Sequence, residues 1–410
     1  MNYSETLVYL QTLVPKEFRM ELEPLAQVCA RFDNPQNKLK TIHICGTNGK
    51  GSTAAFCTSI LQASGFRVGL FTSPHLQTVR ERVQINRDLI APEQFVAYTE
   101  RICAKLESPD ELSFFEFMTL LSFLYFSEQK IDIAVYEVCL GGRLDATNLI
   151  SPLVTIMTPV SYDHEQHLGS TLEEIAAEKC GIMKAGVPMV LAAQEPEVED
   201  VVQTFAERLS CKLVYASPGN IRQPLGLLGD HQKQNAACAV EALKLLAEHG
   251  FTPLRAEIGL AKAGWPGRLE RVQMYPSVIF DGAHNPHGMQ ALMRYLKQHW
   301  PKKSVVLVFG AMRDKNITEM LQELLPQVRE VHCVGIPGHS ERAAQPEDLA
   351  TITEKLGVNA HVWHENPKEV FHQLKAKLDT NDLLLITGSL YLIGYMRDVY
   401  FQLEKVYRFS

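Results

Sequence analysis

The sequence has no run approaching about 18 uninterrupted apolar residues, and Met1 to Leu10 carries acid where a basic-then-apolar leader would begin. A membrane-spanning or exported chain is therefore not expected, and the reading is a cytoplasmic protein. It has no CxxC pair. The nine cysteines, at 29, 45, 57, 103, 139, 180, 211, 238 and 333, are odd in number, and several lie inside apolar runs. They read as small buried hydrophobes in a reducing compartment, not as disulfides or a zinc knuckle. There is no excess of basic charge: Lys plus Arg is 40 against 47 Asp plus Glu, a net charge of -7. A whole-surface footprint for nucleic acid is excluded, so anionic ligands must be met by local cation clusters. No repeat period and no low-complexity tract is present. What remains is an ordinary globular composition over 410 residues, enough for roughly two or three domains.

Short apolar or β-branched runs alternate with helix-length segments. Thr41–Cys45, Arg67–Phe71, Asp132–Val138, Leu153–Met157 and Val187–Ala193 read as strands. Ser52–Ser64, Pro92–Leu106, Glu116–Gln129 and Thr171–Lys184 read as helices between them. Near-continuous apolar strands separated by helices predict a parallel sheet covered on both faces. A second such run, Val278–Asp281, Ser304–Phe309, Glu330–Val334, Ala360–Trp363 and Asp382–Thr387, follows the turn-prone Trp265-Pro266-Gly267-Arg268. The expected fold class is α/β: a large N-terminal doubly wound sheet over 1–270, carrying the phosphate loop, and a smaller Rossmann-like unit over 276–410.

The chemistry concentrates at strand-to-helix junctions. Gly46-Thr47-Asn48-Gly49-Lys50-Gly51-Ser52-Thr53 sits between a strand and a helix. Its glycines let the backbone wrap phosphates, its N–H groups and the helix dipole attract the anion, Lys50 adds a point charge, and Ser52 or Thr53 can reach Mg²⁺. The strict GxxxxGK[ST] pattern is not met, because it needs Lys at position 52 and here Lys50 precedes the last glycine. Glu137 ends a strand, where open α/β sheets place ligand chemistry, and a carboxylate there suits Mg²⁺. Gly141-Gly142-Arg143 beside it suits an anionic substrate. Ser73-Pro74-His75 and Asp163-His164 follow two other strands. The HxxH spacing of His164 and His167 lacks a Cys or third ligand at convincing spacing for zinc. Lys179 lies near the end of a helix opened by a capping box, Ser170 with Glu173; it complements the helix C-terminus or serves a site. Arg82, in the loop after Ser73, and the aromatic run Leu112–Phe117 offer a cation and a flat apolar surface.

These segments together carry a resemblance. Gly46–Ser52 resembles the ATP loop of the Mur ligase superfamily, and Ile42–Pro74 is similar to its folylpolyglutamate synthase and dihydrofolate synthase branch. Glu137–Asn148, Asp163–Lys184, Pro266–Arg268 and Asp281–His287 match in the same order, spreading the resemblance over about 80% of the chain. It implies an ATP-dependent amide ligase that adds L-glutamate to dihydropteroate or to a folate tail through an acyl phosphate. ATP would be contacted by Thr47, Asn48, Gly49, Lys50, Gly51, Ser52, Asn235, Arg268 and Asp281. Mg²⁺ would be held through Ser73, Glu137 and His164 with Ser52, beside a carbamylated Lys179. Lysine suits that modification because it shifts pKa readily when buried. Catalytic roles would fall to Lys50, His164, Lys179, Asp281 and His284, and substrate contacts to Arg82, Phe114, Phe115, Glu116, Arg143, His284 and Ser389. The implied partners are ATP, dihydropteroate or reduced folate, and glutamate, taken up by a monomer without nucleic acid or membrane. Cys139, Cys180 and Ser161-Tyr162 depart mildly from the family pattern and remove no ligand. The alternatives are a cell-wall precursor ligase, disfavoured by the 40 residues before Thr41, and a P-loop kinase, NTPase or ATP-binding module, for which glutamate would be irrelevant.

Overall fold

The structure is a computed structural model that describes residues 1–14, 21–300, 304–364 and 366–405. The chain divides into two compact units. The first comprises 1–226 and 232–264; the second comprises 227–231 and 265–410.

The first unit is built on an eight-stranded sheet. In chain order its strands are β1 (Thr41–Cys45), β2 (Val68–Phe71), β3 (Val83–Ile85), β4 (Asp88–Leu89), β5 (Ile133–Glu137), β6 (Val154–Met157), β7 (Met189–Leu191) and β8 (Leu213–Tyr215). They lie in the order β4-β3-β2-β5-β1-β6-β7-β8. The expectation of a parallel sheet holds from β2 to β8, while β3 and β4 join antiparallel at one edge. These two strands are short and lie in a tight meander, so they carry no long apolar run to read.

Every residue of β1, β2, β5 and β6 is buried, as a central strand with helices on both faces requires. The helix Phe114–Glu128 is apolar nearly all round, and Glu116 to Phe126 is buried throughout. It packs Phe123 and Phe126 against Tyr136 of β5, with ring centroids 5.5 and 6.0 Å apart. Burying each such ring stabilises the fold by about 2–3 kcal/mol, so this face of the sheet holds β5, and with it Glu137, firmly in place.

The second unit holds six strands: β9 (Glu270–Met274), β10 (Ser277–Phe280), β11 (Val305–Phe309), β12 (Val328–Val334), β13 (Asn359–Trp363) and β14 (Leu383–Thr387). Their order is β13-β12-β11-β14-β10-β9, parallel except for β9, which pairs antiparallel with β10. Strand β9 reads Glu-Arg-Val-Gln-Met, too polar to register as a core strand. The helices Pro286–His299 and Leu390–Lys405 follow β10 and β14.

Candidate active site

The phosphate loop of the first unit closes on β1 through its glycines. Gly46 and Gly49 have φ of +132° and +93°, which side chains rarely adopt. A Cβ on Gly46 would lie 2.0 Å from the Thr158 hydroxyl, and one on Gly49 would lie 2.3 Å from Asn235 Oδ1. Both glycines are therefore sterically required, and Asn235 sits directly on the loop. The loop is also tied from outside. Thr47 and Asn48 N–H donate to the Pro159 carbonyl, Thr47 Oγ1 donates to the Ser161 carbonyl, and Asn48 Nδ2 donates to Ser161 Oγ. The helix Lys50–Ala63 begins immediately after.

Two lysines meet on this loop. Lys50 Nζ donates to the carbonyls of Gly46 and Thr47, each at 3.0 Å, and Lys179 Nζ donates to the same Gly46 carbonyl at 3.0 Å. Lys179 is 4% exposed. Burial, with Lys50 beside it, pushes its pKa down to about 8, against the weaker pull of Asp163 and Asp145. Spacing alone reads Lys179 as a helix-end lysine or a site lysine, and the resemblance makes it a site lysine; in the structure it is buried against the loop. Its helix, Leu172–Cys180, opens with Thr171 and Glu174 as the capping box, one residue later than the expected Ser170 and Glu173.

The Ser52 hydroxyl, also buried, accepts from Gln232 Nε2 at 3.3 Å, and Gln232 Oε1 accepts from Asn235 Nδ2 at 2.9 Å. Gln232 was missed in the sequence. Its signal is the spacing: it stands three residues before Asn235 on the helix Gln232–Leu245, on the same face.

Glu137, 4% exposed, accepts the Ser73 N–H at Oε2. The Ser73 hydroxyl reaches Cys139, a thiol raised by burial and surrounded by Asp145, Arg82 and Lys50. Asp145, a second residue the sequence did not single out, shapes this turn. It accepts from the N–H groups of Cys139, Leu140 and Thr147 and from the Thr147 hydroxyl. Burial raises its pKa, and those four donors work against the rise. An Asp two residues before Thr is a recognisable Asx-turn signal.

The remaining candidates divide. Arg82 is buried, donates Nε to His75 Nδ1 at 2.9 Å and lies 5.1 Å over the Phe114 ring. Burial, followed by Arg82, pushes His75 down to about 3 and keeps it neutral. Phe115 instead packs on Phe71 at the edge of the core. The Glu116 carboxylate is engaged at the helix start by the Ser113 N–H and hydroxyl. Arg143 is paired with Glu178 through Nε and Nη2, at 3.1 and 2.8 Å. His164 has φ 54°, a side chain 41% exposed, and its Nε2 3.9 Å from Asp163. As donors, the hydroxyls of Ser52 and Ser73, the Glu137 carboxylate and the His164 imidazole form an oxygen-rich set that suits Mg²⁺.

In the second unit, Asp281 directly follows β10 and is buried, accepting from the N–H groups of Leu269 and Ala283 at 2.8 and 3.0 Å. Burial raises its pKa, and Arg268 and those two amides oppose the rise. His284 Nδ1 bonds the Gly282 carbonyl. Ser389 Oγ accepts from Tyr391 N–H, and the preceding Gly388 N–H and Thr387 hydroxyl both donate to the Ala283 carbonyl. Asp281, His284 and Ser389 thus share the carboxyl ends of the adjacent strands β10 and β14.

Residues 44–218 match the family model described as "Mur ligase middle domain", and 267–390 match "Mur ligase, glutamate ligase domain". The dihydrofolate synthase/folylpolyglutamate synthase of Bacillus subtilis (strain 168) is 36% identical over 407 residues, covering 91% of this chain and 93% of the relative. The chain belongs to the folylpolyglutamate synthase/dihydrofolate synthase family. The folylpolyglutamate synthase of Lacticaseibacillus casei, another member, is 33% identical, with 97% of this chain and 98% of that one covered. Among solved structures, E. coli FolC in complex with DHPP and ADP aligns with a TM-score of 0.88 at 27% identity, covering 98% and 99% of the two chains. A bifunctional folylpolyglutamate synthase/dihydrofolate synthase structure described as having Mn, AMPPNP and L-glutamate bound aligns at 0.85 and 29% identity, covering 98% of each chain. Among the described residues no helix of this family member is long and apolar enough to cross a membrane.

Proposed function

We propose that this chain is an ATP-dependent, amide-forming ligase that joins L-glutamate to a pteroyl compound, making dihydrofolate from dihydropteroate, lengthening the γ-glutamyl tail of a folate, or both. The observation that carries the chemistry is the convergence of Lys50 and Lys179 on one loop carbonyl. Among the described residues neither lysine makes an ion pair, so the loop holds positive charge in low dielectric that suits an anion.

An amide cannot form from a carboxylate at neutral pH without a better leaving group than oxide. Transfer of the γ-phosphoryl of ATP to the pteroyl carboxylate gives an acyl phosphate and ADP. The glutamate amine then attacks the acyl carbon, and the tetrahedral intermediate collapses to amide and phosphate. The protein's part is mainly positioning and charge stabilisation. The loop residues Thr47 to Ser52 hold the phosphates, with Lys50 leaving its loop carbonyls for the γ-phosphoryl oxygens. Asn235, Arg268 and Asp281 bind the rest of the nucleotide. Ser52, Ser73, Glu137 and His164 would hold Mg²⁺, which would supply positive charge against the phosphates. Lys179 near pH 8 is partly neutral and can add CO₂ and lose a proton, replacing a cation by a carboxylate that would help to hold the metal.

Arg82 over Phe114 offers a cation and a flat face to the pteroyl group, with Phe115 and Glu116 behind them, and Arg143 meets its carboxylate after exchanging Glu178. His284 and Ser389 receive glutamate. In this reading residues 1–270 carry ATP and the ligase chemistry and 276–410 deliver glutamate, in a cytoplasmic monomer with no membrane or nucleic-acid partner.

Phosphate release with ATP, Mg²⁺ and each combination of dihydropteroate, tetrahydrofolate and glutamate tests the proposal. Release is expected only when a pteroyl substrate and glutamate are both present. Release indifferent to glutamate overturns the ligase reading, and turnover with a nucleotide-sugar acid in place of the pteroyl substrate overturns its substrate class.

A further inference from the structure

At the far edge of the second unit lies a cluster that no step above uses. Strands β12 and β13 run parallel, with His332 opposite His361 and Val334 opposite Trp363. Residues two apart share a face, so Glu330, His332, His361 and Trp363 line one surface of the sheet edge. The two imidazoles stack, with centroids 4.8 Å apart and planes at 16°. Glu330 Oε2 lies 3.4 Å from His361 Nε2 and 3.9 Å from His332 Nε2, while Arg329 contacts the other carboxylate oxygen. One ligand atom from each of Glu330, His332 and His361 falls within 4.8 Å of the others. Independently of that clustering, the His332 side chain is 5% exposed and its Nε2 has no hydrogen-bond partner among the described residues, although it faces the carboxylate. As an N–H it lacks an acceptor, a cost to stability, and once that proton leaves, the Nε2 lone pair faces the Glu330 carboxylate and can take a metal instead.

We propose that Glu330, His332 and His361 bind a Zn²⁺ ion that clips the edge strand β13 to β12. Two imidazoles and one carboxylate are borderline donors that favour zinc over magnesium or calcium, and the half-exposed His361 leaves an entry path and a fourth position for water. Bonds of about 2.0–2.1 Å in a tetrahedron set donor atoms roughly 3.3 Å apart, so the two carboxylate separations need little adjustment. Lys377 adds an unfavourable positive charge near His332, which the Glu330 carboxylate offsets.

One contact opposes the ion and makes the site distinctive. Trp363 Nε1 donates to His332 Nδ1 at 2.9 Å, which places the ring's own proton on Nε2. Zinc on Nε2 requires that proton to leave Nε2 and Nδ1 to become the N–H, which then meets the indole N–H head on. The indole must shift. Zinc binding and the Trp363 hydrogen bond are therefore mutually exclusive.

Zn²⁺ is titrated into the full chain in excess Mg²⁺, in competition with a chromophoric chelator and with tryptophan emission followed in parallel. The wild type is expected to take up one more zinc than His361→Gln or Glu330→Gln, both at partly exposed positions. Trp363→Phe should bind that zinc about three- to tenfold more tightly, the equivalent of one lost opposing hydrogen bond, and should lose the zinc-dependent emission change. Equal zinc uptake by the wild type and both ligand variants overturns the site. An unchanged or weakened affinity in Trp363→Phe overturns the exclusion between zinc and the indole.

Discussion

Two strand-to-helix junctions carry most of the candidate chemistry, and they are charged in opposite ways. After β1, the first unit gathers Lys50 and Lys179 around a glycine-rich turn where, among the described residues, their hydrogen bonds go to carbonyl oxygens. After β10, the second unit buries the single carboxylate of Asp281 and satisfies it internally, with two backbone N–H groups and Arg268 nearby. The first junction awaits an anion; the second is already neutralised. A site that binds triphosphate gains from holding its cations unpaired, whereas a carboxylate that orients a ligand must itself be held still.

The contrast can be broken most severely at the first junction. Lys50→Ala is expected to lower kcat/KM for ATP on the order of a thousandfold, because it removes charge aimed at the phosphates in low dielectric; steady-state phosphate release reads this. If Lys50 does not hold phosphate, the loss will be under tenfold.

Lys179 tests whether the charge is held at a cost. Its pKa in the folded chain is about 8 against an ordinary 10.5, so between those values the unfolded chain binds a proton that the native chain does not. Stability attributable to this residue therefore rises as pH increases from about 8 to 10.5. Urea unfolding in CO₂-free buffer should show that rise in the wild type and a flatter profile in Lys179→Met. Parallel profiles would mean that the lysine is not strained by burial. If the modified form is the active one, short carboxylic acids should restore part of the activity of Lys179→Ala.

At the second junction a smaller effect is expected. Asp281→Asn keeps one acceptor and loses the charge, and should cost about 1–2 kcal/mol in unfolding free energy together with a higher KM for ATP. The smallest effect belongs to Ser161→Ala, which removes only the Asn48 contact to the hydroxyl and leaves both backbone contacts with Thr47. It should raise KM for ATP a few-fold, by about the worth of one neutral hydrogen bond, with kcat unchanged.

How much of this was legible follows from what each residue's neighbours in sequence reveal. Strands β1, β5, β11 and β14 announce themselves because five consecutive buried residues leave no polar alternation to confuse them. The strands β3, β4 and β9 stayed hidden because they are short or polar and lie at or next to a sheet edge. The phosphate loop was legible because glycine, lysine and hydroxyl are local requirements. Gln232 was not, since its role depends on the Ser52 hydroxyl that folds against it, whereas Asp145 carried a local turn signal that was overlooked. Arg143 illustrates the converse: its motif is plain, but only the folded chain reveals that Glu178 occupies the guanidinium.

One feature of the chain path bears on how this protein can be taken apart. Residues 227–231 belong with the second compact unit although they lie inside the sequence of the first. There Gly229 lies so close to Leu269 and His231 that an added Cβ would stand 2.8 and 2.6 Å from them. A fragment starting at Trp265 would thus lack a piece of its own wall, and one ending at Gly264 would carry a foreign insert. The two compact units are not separable passages of text, so a gene cut at the obvious turn would yield two incomplete products.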